Sequence, residues 1–335
     1  MRWTLAKSHL PCAKLPSRHP ANLAGDAKIN EQLRIKHDGH AGLVVCASTL
    51  GGSLQIPTLS FEFFPPKDAD GSVALSNTLE TLAAYNPAFA SITYGAGGSA
   101  QERTFAAATI VKDQLKVPTV GHLTLVGATQ TELESVLKQY EALGLSGVLA
   151  LRGDPVGGPA AEWTPTPGGF DYADQLVQLA KTSTNLDIGV AAFPDVHPGS
   201  NGNFMQDIKV LLRKEELGAT FAITQFVFDS GRFEALSDGL VARGSKLRLY
   251  PGIMPVTNYT MILRMLELSG GYMPKATRLR FARYQNDVES LKALGIDIAV
   301  QICEDVIALG ADGLHFYTLN QSGPTKAVLD QISHF

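Results

Sequence analysis

Six polar residues stand where reactive groups of an enzyme could stand. Glu62 interrupts the apolar run Leu59 to Phe64 just before Pro65 and Pro66, and His122 lies in the run Thr119 to Leu125. Asp154 closes the triplet Arg152, Gly153, Asp154, His197 sits in Pro-Asp-Val-His-Pro, Thr93 ends a short apolar run, and Gln225 lies among apolar neighbours. A carboxylate flanked by Phe61, Phe63 and Phe64 needs a partner or a task, because a buried charge without either is costly. Two carboxylates, Glu62 and Asp154, could also serve glycoside hydrolysis, but sugar platforms are scarce with only Trp3 and Trp163. No HxH or HExxH occurs, so a zinc hydrolase is disfavoured and no metal is expected. No lysine ends an apolar run, which argues against Schiff-base chemistry. Glycine between Arg152 and Asp154 lets a ligand approach the backbone, and the triplet suits a phosphate or a planar heterocycle. On spacing alone Lys214 reads as part of a solvated helix face.

The elements that must carry these residues alternate. Short apolar runs at Leu59 to Phe64, Phe89 to Tyr94, Thr119 to Leu125, Gly147 to Leu151, Ile188 to Phe193, Phe221 to Phe228, Leu247 to Gly252 and Leu314 to Leu319 read as strands. Helical patterns separate them: Ser72 to Tyr85, Gln101 to Leu115, Thr129 to Leu143, Tyr172 to Lys181, Asn203 to Leu217, Phe233 to Arg243, Tyr259 to Leu268 and Val288 to Leu309, with Thr325 to Ile332 last. Thr129 and Glu132 form a capping-box signature. The Gly- and Pro-rich stretch from Arg152 to Gly169 is longer than a connector needs, which suggests a function. Eight βα units predict an α/β fold, a (β/α)8 TIM barrel in one domain at 58–335. All six polar residues then fall at or beyond the carboxyl half of different strands, where such barrels do chemistry.

Residues 1–57 read differently. Arg2, Lys7, Lys14 and Arg18 precede the first acid, Asp26, and Pro11, Pro16 and Pro20 break any amphipathic helix. A poorly ordered arm or an early start is expected there. The net charge of −4 gives no bulk attraction for nucleic acid, no apolar run is long enough to span a membrane, and three scattered cysteines suggest a reducing, cytoplasmic home.

Taken together, SFEFFPPK at 60–67, SITYGAGG at 91–98, GHLTL at 121–125, ALRGD at 150–154, AAFPDVHP at 191–198, AITQFVFD at 222–229, PGIMPV at 251–256 and HFYTLN at 315–320 resemble the methylenetetrahydrofolate reductases in their short bacterial form. The resemblance implies a barrel holding FAD, which passes hydride from NADH or NADPH to 5,10-methylenetetrahydrofolate in two half-reactions of a ping-pong cycle, within one-carbon metabolism and methionine supply. It places flavin contacts on Thr93, His122, Leu151, Arg152, Gly153, Asp154, Tyr172, Ala191, Phe193, His197, Asp207 and Lys214. Glu62 matches the family's acid, Asp154 an acid addressing pterin and flavin, and Gln225 a substrate contact. Small-molecule substrates and a homo-oligomer are expected.

Three departures stand out. Phe193 replaces a usual tyrosine, Gln321 stands where an arginine commonly follows Tyr-Thr-Leu-Asn, and Met261 and Met265 occupy the places of a Gln and a Phe. They bear on how the folate tail and nicotinamide are held, and Arg278, Arg280 and Arg283 become candidates for the tail. Two rival readings are a proline dehydrogenase-like flavin enzyme and a folate-binding subunit without turnover. Retention of Glu62 and Asp154 speaks against the second. In the mechanism so implied, Glu62 protonates N10 of the folate if its apolar setting favours the protonated carboxyl.

Overall fold

The computed structural model describes residues 57–95, 98–155 and 162–332. The arm expected at the N-terminus therefore lies, but for its last residue, outside the described residues. Eight parallel strands close into a barrel in sequence order: β1 (Thr58–Phe63), β2 (Phe89–Ile92), β3 (Thr119–Thr124), β4 (Gly147–Leu151), β5 (Asp187–Ala192), β6 (Phe221–Phe226), β7 (Arg248–Ile253) and β8 (Gly313–Tyr317). The closing seam pairs Glu62 of β1 with Tyr317 of β8. The predicted (β/α)8 architecture is the observed one.

Alternation along each strand sorts residues into two apolar layers. Leu59, Phe61 and Phe63 face outward and join Leu75, Leu79 and Leu82 of α1 (Ala69–Ala83) in the large outer core. Phe89, Val120, Leu149, Phe221, Ile223 and Tyr250 face inward and form a separate core within the barrel. Phe89 meets Tyr250 edge-on at 5.3 Å and Phe221 at 5.7 Å, so aromatic rings plug the interior. Polar side chains are left to the carboxyl end.

The outer helices continue with α2 (Gly98–Leu115), α3 (Gln130–Ala142), α4 (Ala173–Ser183), α5 (Phe204–Glu216) and α6 (Ser230–Val241). Thr129 caps α3 as its sequence predicts, with the Glu132 carboxylate accepting from Thr129 N at 2.8 Å. The first helix starts three residues before the predicted Ser72 because Asp68 accepts from Gly71 N and caps it there.

Between β7 and β8 the chain forms three helices, α7 (Tyr259–Ser269), α8 (Lys275–Arg283) and α9 (Val288–Ala308), followed after β8 by α10 (Ser322–Leu329). α9 packs Leu291, Leu294, Ile298 and Ile302 into the outer core and acts as the barrel helix of this unit. The α7–α8 pair is held at the carboxyl rim instead. Tyr272 N donates to Asp195, just beyond β5, at 2.7 Å, and Tyr259, which opens α7, stacks on Phe281 at 6.0 Å. The sequence placed an insertion here but did not reveal that its basic part is a helix. Phe281 is the only large apolar residue buried in α8, too little periodicity to read.

Candidate active site

Glu62 points into the barrel because its neighbours Phe61 and Phe63, one residue away on either side, point out. This corrects the expectation of an apolar setting. The phenylalanines pack behind the strand, while the carboxylate faces imidazoles on two other strands. Glu62 Oε2 lies 3.5 Å from Nε2 of His122 and 3.7 Å from Nε2 of His315. Neither Nε2 makes a hydrogen bond among the described residues. Burial holds the His122 imidazole below its ordinary pKa, against a pull upward from Glu62, so at neutral pH the contact is a neutral imidazole facing a carboxyl group, not an ion pair.

His315 is fixed from behind. Ser60 Oγ lies 2.8 Å from its Nδ1 and donates to the Leu314 carbonyl at 3.1 Å. With that hydroxyl proton committed, the network assigns the imidazole proton to Nδ1 and leaves Nε2 of His315 an acceptor toward Glu62. A protonated Glu62 can donate to it. His122 is fixed by the outer layer: the Tyr140 hydroxyl of α3 donates to its carbonyl at 2.6 Å. The Tyr140 ring fits only because residue 121 is glycine, where a Cβ would come within 2.6 Å of the ring.

On the far wall, the β6–β7 register shifts between Ile223 and Phe226. The extra residue re-aims Gln225, which is half-buried at the mouth, its Oε1 accepting from Phe226 N at 3.1 Å. Tyr317 clamps the irregularity by donating its hydroxyl to the Thr224 carbonyl at 2.7 Å, and its ring stands edge-on to His315 at 5.4 Å.

The third wall carries charges of both signs. Beyond β4, Arg152 lies over the Trp163 ring at 4.9 Å with its Nε buried and without a hydrogen-bond partner among the described residues, and Asp154 is exposed. Gly153 adopts φ +82, where a Cβ would meet Val126 at 2.7 Å and Thr124 at 2.9 Å. Beyond β5, Asp207 is buried and accepts from His197 N at 2.9 Å and from the Ser200 hydroxyl, shaping the 3-10 turn at 198–200. His197 accepts from Gly199 N at Nδ1, so the same reasoning gives it an outward Nε2–H, and Phe193 packs edge-on against it at 4.7 Å. Burial first, and then the charge of Arg152, hold His197 below its ordinary pKa.

Lys214 overturns the solvated-face reading. It is 8% exposed, and burial lowers its pKa to about 8 while Asp174 and Asp207 pull it back up. Asp174 carries a buried Oδ1 with no hydrogen-bond partner among the described residues. Leu151 and Ala191 line the barrel beside this wall, Thr93 follows β2 half-buried, and Tyr172 is 67% exposed ahead of α4.

Thus Glu62, His122 and Gln225 stand at one mouth, whereas Gln321 is exposed at the start of α10 and Met261 and Met265 sit half-buried on α7. Ser60, His315 and Tyr317 were missed as site residues. Their signal was available, since Ser60 shares the parity of Glu62 on β1 and His315 that of Tyr317 on β8.

A sequence profile of the methylenetetrahydrofolate reductases matches residues 53–333. The 5,10-methylenetetrahydrofolate reductases of Salmonella typhimurium and Escherichia coli are each 34% identical over 271 residues, covering 81% of this chain and 88% of theirs. Methylenetetrahydrofolate reductase (NADH) 1 of Arabidopsis thaliana is 33% identical over 271 residues, covering 78% of this chain and 46% of its own. Among solved structures, an uncharacterized Clostridium thermocellum protein that binds two copies of 5-methyl-5,6,7,8-tetrahydrofolic acid has a TM-score of 0.60 at 13% identity, covering 83% of this chain and 94% of its own. That last likeness is one of fold.

Proposed function

The chain belongs to the methylenetetrahydrofolate reductase family, and from that premise we propose that its barrel mouth reduces 5,10-methylenetetrahydrofolate to 5-methyltetrahydrofolate, with Glu62 as the acid. The carrying observation is the Glu62 carboxyl group set before the Nε2 atoms of His122 and His315. The methylene carbon is locked between N5 and N10 and resists hydride until one C–N bond breaks. Glu62 gives its proton to N10, the carbon–N10 bond opens, and the N5 iminium so formed accepts hydride to become the methyl group. Gln225, re-aimed by the bulge, is positioned to orient the pterin, and Asp154 addresses the pterin and the flavin edge.

This wall fits a flavin dinucleotide. Buried Lys214 and half-buried Arg152 supply positive charge for its phosphates, Gly153 permits close backbone approach, and Asp174 Oδ1 and Arg152 Nε are buried polar atoms without a partner among the described residues. Thr93, His122, Leu151, Tyr172, Ala191, Phe193, His197 and Asp207 complete the proposed FAD site. When bound, the flavin supplies two-electron hydride chemistry linking NADH or NADPH to the folate, in a ping-pong cycle typical of an oxidoreductase acting on CH–NH groups. We place the protein in the cytoplasm as a homo-oligomer. The purified protein is expected to show a flavin spectrum that bleaches on anaerobic addition of NADH or NADPH and returns on addition of methylenetetrahydrofolate. Bleaching by proline would favour the proline dehydrogenase-like reading, and return failing with folate would defeat the assignment.

A further inference from the structure

The strand that carries Glu62 ends against two residues that cannot sustain a sheet. Pro65 and Pro66 have no N–H, so the β1–β8 ladder loses its donors just past the proposed acid. The chain closes this gap with the turn after β8. Thr318 donates from both N (3.4 Å) and Oγ1 (2.6 Å) to the Glu62 carbonyl. Leu319 and Asn320 then both take left-handed backbone conformations, φ +50 and +53. For leucine this backbone is strained, and such strain persists only where surrounding contacts over-determine it.

The contacts are centred on Asn320. Its Nδ2 donates to the Phe64 carbonyl at 2.9 Å and its Oδ1 accepts from Phe64 N at 3.0 Å. A primary carboxamide presents the same donor and acceptor as a peptide group, so the Asn320 side chain adds one rung at Phe64, the last residue before the prolines end the ladder. Its own backbone is saturated as well: the carbonyl accepts from the Thr78 hydroxyl at 2.9 Å and the N–H donates to Thr318 Oγ1 at 3.1 Å. Thr78 and Thr318 are each 4% exposed and Asn320 9%.

From this geometry we propose that Thr318 and Asn320 are positioning residues for Glu62. From the turn after β8 they pin the Glu62 carbonyl and the backbone of Phe64, so the seam sets how the carboxyl group stands before His122 and His315. The proposal rests on the reading of Glu62 as the acid. Both residues are buried, behind the strand end rather than at its open face.

Asn320→Asp keeps the acceptor for Phe64 N but sets an anion against the Phe64 carbonyl. Thr318→Val removes one bond to Glu62, and Thr318→Ser keeps it. Rapid-mixing kinetics of the folate half-reaction are expected to slow on the order of 10²-fold in Asn320→Asp and Thr318→Val, since misplacement of that size is typical of lost positioning. The nicotinamide half-reaction and the folate KM are expected to hold, and Thr318→Ser is expected to recover the rate. Hydrogen exchange supplies a readout independent of turnover: the Phe64 amide is expected to lose protection in Asn320→Ala. The core truncation Val111→Ala, in α2, serves as a destabilised control. A normal folate half-reaction in folded Thr318→Val, equal slowing of both half-reactions, or the same slowing in Val111→Ala overturns the proposal. Full activity in Glu62→Gln would instead overturn the underlying reading of the acid.

Discussion

What Glu62 faces is a pair of imidazole nitrogens, those of His122 and His315, rather than phenylalanine rings, and its role as an acid is tested by removing its proton. Glu62→Gln keeps the shape and removes the proton. The folate half-reaction is expected to slow by about 10²- to 10⁴-fold in stopped-flow measurements while the nicotinamide half-reaction persists. Equal slowing of both would mean that Glu62 only shapes the site. Lys214 makes a second residue-scale case. Its pKa falls from 10.5 to about 8 on burial, so the folded protein holds this proton more weakly than the unfolded chain does. Its contribution to stability is therefore most favourable above 10.5, is lost as pH falls toward about 8, and stays lost at neutral pH. Lys214→Met is expected to stabilise the ligand-free protein by up to about 3 kcal/mol in urea unfolding at neutral pH, and to weaken flavin retention. A less stable methionine variant would show that Asp174 and Asp207 already compensate the buried charge. Glu62 was legible as a candidate from its break in an apolar run, but the burial of Lys214 was not, since a lysine on a helix is read as solvated until the neighbouring elements that cover it are placed.

At the scale of elements, the outer layer positions the inner one. Gly121 and Tyr140 join β3 to α3 directly behind His122, so Gly121→Ala is expected to destabilise the protein by about 1–3 kcal/mol through overpacking, read as a lower urea midpoint. An unchanged midpoint would mean that the Tyr140 ring moves aside freely. The α7–α8 pair makes a different claim. Lys275, Arg278, Arg280 and Arg283 are all exposed on α8, the element holds no acid, and its ties to Asp195 and Tyr259 keep it at the rim of the mouth. With Gln321 uncharged, we assign the glutamate tail of the folate to these arginines. Their alanine variants are expected to raise the folate KM by an amount corresponding to about 1.5–3 kcal/mol for the residue making the contact. Unchanged KM values in all three would place the tail elsewhere. Neither the helix nor the β6 bulge was legible beforehand: α8 buries too little to show a period, and a bulge is a mismatch between two strands, which no single strand records.

At the scale of the whole molecule, the proline-broken sequence of residues 1–50 suggests that the barrel folds without them, and their deletion is expected to leave flavin content and Tm nearly unchanged. A large fall in either would show that the segment supports the barrel. The sequence by itself determined the barrel, because alternating strand and helix periods admit few closures and right-handed crossovers select among them. It also showed which strand ends carry polar groups, since a charged or polar residue in an apolar run is visible one residue at a time. Tertiary structure alone decided the partners. Glu62 and His315 lie 253 positions apart in the chain and meet only because β8 closes on β1, while Ser60 and Asn320 acquire their roles from hydrogen bonds across that seam. Such contacts depend on register and on the direction of side chains across the barrel, and a linear pattern carries neither.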